Sequence, residues 1–220
     1  MDPVLIMNLY LFLCALAGSV YGIVRILGRK KALYLRMVTL GVLCMTLSRL
    51  YQVVFLLTQG SLREGFHVGV LGTVGSFMFL FSANFGQMDS LVDDGTARFR
   101  RVRLLSFAAP AFILALYLVF LLPGSRLEPR IVQGVVTLFI MQCAYFSFKH
   151  LIIYDVDLGI IQCLRGYNAL VLAYCVLSML EMIGLTRNVR PLYYAACALI
   201  GVFAVVLLPI LKKGAEKWTI

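Results

Sequence analysis

Two charges stand where the sequence offers them no obvious water. Arg49 lies far from either end of the apolar run Leu35–Leu57, and Glu181 lies 17 residues into a second run, Leu164–Leu185. A cation at mid-membrane depth costs roughly 2.5–3.5 kcal/mol on insertion scales unless it meets a partner, water or an anion. A guanidinium can also hold a carboxylate in a two-bonded fork. Three readings are open. The two residues can form a buried clamp that fixes helix register. Arg49 can anchor a solute anion, with Glu181 as counter-ion or proton acceptor. Alternatively, Glu181 simply reaches the membrane interface.

Other polar residues fall in stripes at helical spacing. Thr46, Arg49 and Gln52 follow one another at three-residue steps, and Gln142, Tyr145 and Lys149 align on another segment. At about 100° per residue, Gly69, Thr73, Ser76, Asn84 and Gln87 share an arc of about 80°. By the same count, Tyr167, Tyr174, Ser178 and Glu181 share about 60°. Polar atoms should not face lipid, so these stripes should converge, either in a dry polar core or around a cavity open to solute. The expected solute-binding set is Arg49, Glu181, Gln52, Thr46, Ser76, Asn84, Gln87, Tyr174, Ser178 and Gln142. No metal or cofactor is called for. At the other end of the third apolar segment, Asn84, Gln87 and Asp89 could form a gate with Arg165 or Asn168, and His67 is read as an interfacial residue.

Catalytic patterns are missing. Asp94-Gly95-Thr96-Ala97-Arg98 resembles the opening of the CDP-alcohol phosphotransferase signature, but the spacing is one residue short and the downstream glycine and paired aspartates are absent. His67 and His150 are the two histidines, too few for haem held by histidine pairs. Neither G-x-S-x-G nor H-E-x-x-H occurs, so an enzyme is not expected. The last apolar segment has no lysine for a retinal Schiff base.

The elements that must position these residues follow from composition. The chain has 220 residues, 62% hydrophobic and 14% charged, with a mean hydropathy of +0.95. A soluble domain is about 45–50% apolar and ~25% charged. The chain therefore reads as a single all-α domain, residues 1–220, buried in a membrane. Seven windows approach the ~20 residues a bilayer core needs: 4–26, 35–57, 66–88, 102–122, 131–153, 164–185 and 191–211. The first lacks a basic leading region and a small-residue cleavage site, so it is expected to be a retained span.

The net charge of +10 is read through topology rather than as a nucleic-acid signal. Fourteen Lys and Arg fall at one end of the spans, from Arg25 to Lys217, against Arg63, Arg126, Arg130, Arg187 and Arg190 at the other. That bias places the N-terminus outside and the C-terminus in the cytoplasm, in a plasma or bacterial inner membrane. Tyr34, Tyr154, Tyr167, Tyr193, Tyr194 and Trp218 fit interfacial aromatic belts. Asp89–Arg103 is a charge-dense loop that could meet a cytoplasmic partner or anionic headgroups. The six cysteines lie in or beside apolar runs and read as free core thiols.

Leu47–Leu50 and Leu177–Leu180 share the pattern Leu-Ser-x-Leu, and spans one to three have the same topology as spans five to seven. A parallel three-plus-three repeat, with span four as connector, would follow. This plan is similar to that of the SWEET, PQ-loop and KDEL-receptor group. The likeness is architectural, since no Pro-Gln dipeptide occurs and no binding residue carries across. The function expected is binding and translocation of a small polar or anionic solute. The alternatives are a seven-helix receptor or sensor and a non-catalytic accessory subunit.

Overall fold

The structure is a computed structural model that describes residues 2–28, 31–62, 65–89, 93–123, 126–153 and 160–218, excepting the side chains of 87, 160–163, 217 and 218. Seven helices are long and apolar enough to cross a membrane, and among the described residues there is no strand. They are α1 (Pro3–Leu27), α2 (Leu33–Gln59), α3 (Val68–Ala83, continued by a π-helical turn Asn84–Asp89), α4 (Ala97–Leu121), α5 (Leu127–Ile152), α6 (Ile160–Thr186) and α7 (Arg190–Trp218). Several helices run past their apolar windows. α4 begins at Ala97 and takes in Arg98–Arg103, because a helix need not stop where its hydrocarbon segment does.

Local chemistry sets the ends. Pro3 occupies a first-turn position where no N–H is needed, and the Val4 amide donates to the Asp2 carboxylate at 3.0 Å. α2 stops at Gly60, whose φ of +71° is left-handed. α4 breaks at Phe107 because Pro110 has no N–H for the Ser106 carbonyl and its ring crowds that oxygen.

The helices alternate in direction, so Asp2 and the loop residues 60–62, 65–67, 122, 123 and 126 lie on one face, here the N-terminal face. Six of them close a ring in the order α1, α2, α3, α5, α6, α7 and back to α1, while α4 packs outside against α5. Inside the ring Leu11, Val42, Phe77, Ile140, Val171 and Ala204 are buried. Leu13, Leu47, Leu71, Leu104, Leu138 and Leu199 are exposed on the outside, the surface a bilayer covers.

Small residues bring helices close where the ring is tightest. A Cβ on Gly18 would run into the Ala204 carbonyl of α7, and one on Gly72 would lie 2.8 Å from the Cys44 carbonyl of α2. The aromatic belts are less regular than expected. Tyr167 is wholly buried, and Tyr193 is held in the α1–α7 seam, where its hydroxyl accepts from Asn8 Nδ2 at 2.9 Å. Tyr154 and the side chain of Trp218 lie outside the described residues.

Candidate functional site

Arg49 projects from α2 and Glu181 from α6, on opposite sides of the ring. Arg49 Nη1 and Nη2 donate to Glu181 Oε1 and Oε2 at 2.5 and 2.7 Å, and Nη1 also donates to Gln52 Oε1 at 3.0 Å. Gln52 is one turn along the same helix, so the three-residue step places its amide beside the guanidinium. The two charged side chains are 8% and 14% exposed. At that burial a free guanidinium would be costly, and the fork satisfies both ions.

The pair lines a cavity of about 560 Å³. Thr73 of α3, Gln133 of α5, and Tyr174 and Ser178 of α6 line it further. Leu62, Gly65, His67 and Arg126 form its rim at the N-terminal face. A side chamber of about 90 Å³ shares Gln52, His67 and Glu181 and reaches Asn8, Tyr51 and Tyr193. The floor is aromatic. Tyr174 stacks between Phe77 and Phe203, with ring centroids 4.8 and 4.3 Å apart, and its phenol interacts with the Ser76 and Ser178 hydroxyls.

No family model, curated protein or solved structure matches this chain.

The structure brings together half of the expected set: Arg49, Gln52, Tyr174, Ser178 and Glu181 line the cavity. Ser76 touches it through the Tyr174 hydroxyl. Thr46 does not reach it. Its hydroxyl lies 2.7 Å from Ser19 Oγ in the α1–α2 seam and donates to the Val42 carbonyl at 3.0 Å. Asn84 sits at the far end of the bundle and donates to Ser147 Oγ at 3.1 Å. Gln142 is exposed on the outside of α5. The inward face of α5 runs through Gln133, Val136, Ile140, Ala144 and Ser147, and Gln142 lies about 200° round from Ile140 at about 100° per residue. The side chain of Gln87 lies outside the described residues.

The stripe on α3 therefore serves two places, Thr73 the cavity and Asn84 the far end, because the eleven residues between them span about 16 Å of helix axis at ~1.5 Å per residue. Sequence reasoning passed over Gln133, which donates to Thr186 Oγ1 at 2.9 Å, while His67, expected at the interface, stands at the cavity rim with its ring stacked on Tyr51 at 5.2 Å. Gln133 has a legible signal, four residues before buried Thr137 on the same helical face.

The far end carries a second ionic cluster. Lys149 of α5 is buried and contacts Asp89 Oδ1 at 2.7 Å and Asp93 Oδ2 at 2.6 Å. His150 Nε2 lies 3.2 Å from Asp89 Oδ1, and Arg103 Nε and Nη2 donate to the two oxygens of Asp93 at 2.9 and 3.1 Å. Burial pushes both carboxyls up. Bonds from His150 and Lys149 to Asp89, and from Lys149, the Gly95 amide and Arg103 to Asp93, outweigh it and hold both below the usual carboxylate range. The expected partners of Asp89 are thus corrected. Arg165 is exposed and Asn168 donates to its own helix at Leu164, while the ε-ammonium at the end of α5 reaches Asp89 directly.

Proposed function

We propose that this polytopic, non-enzymatic membrane protein binds a small polar or anionic solute in the Arg49–Glu181 cavity and passes it across the bilayer. The observation that carries this reading is a hollow of about 560 Å³ whose wall holds an ion pair rather than packed apolar side chains. A register clamp alone needs no space beside it. The pair is internally neutral, so an incoming anion must compete with Glu181 for the guanidinium. An anion that displaces Glu181 from the fork would leave Arg49 holding its carboxylate or phosphate. Gln52, Gln133, Tyr174 and Ser178 offer neutral donors and acceptors for the rest of the solute.

The opposite half is closed by the Phe77–Tyr174–Phe203 stack and, further on, by the Lys149 cluster. Translocation would require both to part. The ring supports a three-plus-three arrangement, since its neighbour order is unchanged when α1–α3 are exchanged with α5–α7. Such an arrangement puts Arg49 and Glu181 on facing walls. The excess of basic residues at the far end supports an outside N-terminus, hence a cavity open to the exterior.

A sensor is the second reading, favoured by the same closed half. Occupancy would then be relayed through the Asp93–Arg103 contact to the segment 97–103, where Arg100 and Arg101 are exposed to a cytoplasmic partner. An accessory subunit would need no solute at all.

The test is a thermal-shift screen of small carboxylates, phosphates and neutral polyols on the purified protein, repeated on Arg49→Lys. A lysine keeps the charge but cannot form the fork. A stabilising ligand whose effect disappears in a well-folded Arg49→Lys protein supports the reading. Loss of the folded protein instead makes the pair a structural clamp.

A further inference from the structure

The cavity borders a second hollow, on its lipid side. α3 and α5 meet in the half away from the N-terminal face, where Phe146 packs edge-on against Phe81 and Phe85 at 5.5 and 5.3 Å and Asn84 bonds Ser147. Towards the N-terminal face the two helices part. The gap is roofed by Glu128, whose carboxylate accepts from the Phe66 amide at 3.2 Å. Gly65, with φ at +84°, makes that roof possible, because a Cβ there would strike the Glu128 carboxylate. Below the roof an apolar groove of about 390 Å³ runs along the outside of the bundle between Phe66, Leu71, Val74, Ile131 and Val135. Val70 and Val132 line both the groove and the polar cavity. A hydrophobic channel on the lipid side and an ionic chamber inside are thus separated by two valine side chains.

Resting on the cavity as a solute site, we propose that its ligand is a single-chain anionic amphiphile that enters sideways from the bilayer. The head, a phosphate or carboxylate, lies in the chamber, where the cations Arg49 and Arg126 face one carboxylate, Glu181. The chain lies in the α3–α5 groove, which follows about 12 Å of α5 from Leu127 to Val135 at ~1.5 Å per residue. The chain gains little by leaving the bilayer for the groove, since lipid tails are as apolar as leucine. Its contribution is to hold the head near the portal at high local concentration, while selectivity rests with the polar chamber. A freely diffusing solute has no use for a groove on the lipid side.

The experiment places the full chain in phosphatidylcholine nanodiscs with lysophosphatidic acid carrying a photoactivatable diazirine in its chain, and maps the cross-links by mass spectrometry. Glycerol 3-phosphate, the head without the chain, serves as competitor and as a separate thermal-shift ligand. Cross-links are expected at 66–74 and 127–135, at least fivefold above the rest of the lipid-facing surface. They should fall at least fivefold with excess glycerol 3-phosphate. Val135→Trp, or Val74→Trp should that variant misfold, fills the groove outside the chamber and should lower the cross-links equally while leaving the glycerol 3-phosphate shift unchanged. Even labelling around the bundle, indifferent to competitor and to groove variants, overturns the sideways route and leaves the solute reading standing. Absence of any shift with glycerol 3-phosphate and with every carboxylate, phosphate and polyol of the solute screen overturns both.

Discussion

Removing one member of the Arg49–Glu181 pair should harm the protein more than removing both. The two charges form a bidentate contact at 2.5 and 2.7 Å in a setting that leaves the side chains 8% and 14% exposed. With charge centres about 4 Å apart and an effective dielectric of about 20, their attraction is about 4 kcal/mol. Truncating one partner of a buried pair typically costs about 3–5 kcal/mol, because the survivor stays buried and unpaired. The neighbouring cavity can admit water to that survivor, which puts the expected loss for Arg49→Leu or Glu181→Leu near the lower end, about 3 kcal/mol. The double variant strands no charge and should lie closer to the parent than either single one, with a coupling of at least about 2 kcal/mol. Reversible unfolding of the four proteins in bicelles measures that coupling. Single losses that simply add would refute the reasoning, since they would mean that the two ions do not depend on each other.

Further predictions concern the floor, the far-end cluster and the helix seams. Tyr174→Ala should remove the middle ring of the Phe77–Tyr174–Phe203 stack, cost about 3–5 kcal/mol and raise the leak of small polar solutes through proteoliposomes; an unchanged leak would show that the rings are not the barrier. Lys149→Met leaves Asp89 and Asp93 facing each other without their ammonium and should lower stability by about 3–5 kcal/mol. Because both carboxyls are held below their usual range, their contribution is complete above an unfolded value of about 4 and is lost as pH falls through the lower folded values. The two carboxyls should therefore lower the melting temperature only below about pH 4. Gly72→Val drives a side chain into the Cys44 carbonyl 2.8 Å from the new Cβ and should cost about 1–3 kcal/mol, whereas Gln142→Ala, on the outside of α5, should stay within about 0.5 kcal/mol and leave solute binding unchanged.

The scaffold was legible because its signal is cumulative. Seven apolar windows separated by glycine-, proline- and charge-bearing turns leave little freedom in where helices lie. The Arg49–Glu181 contact was legible for a different reason: two lone charges at matching depth in hydrocarbon have few other ways to be satisfied. What failed was phase over distance. Asn84 shares an arc with Thr73 on an ideal wheel, yet it serves the opposite end, because eleven residues carry it far along the axis. Gln142 falls on a polar stripe with Lys149, but α5 turns another face inward, fixed by Val136, Ile140 and Ala144. Thr46 is satisfied by Ser19 on the neighbouring helix and by its own backbone. The Lys149 cluster joins residues 60 apart in the chain, a closure that periodicity cannot express.

The central claim is that the space around Arg49 is wet, open at the N-terminal face and occupied by solute. Cysteine labelling in sealed vesicles tests it most directly, with Gln133→Cys on the cavity wall, Gln142→Cys on the lipid-facing side as reference, and a membrane-impermeant thiol reagent applied from the N-terminal side. The account predicts rapid labelling of Gln133→Cys above the parent's background, slowed by the solute that raises the melting temperature, and no labelling of Gln142→Cys. Equal inertness of both positions would mean a dry, sealed interior and would contradict it.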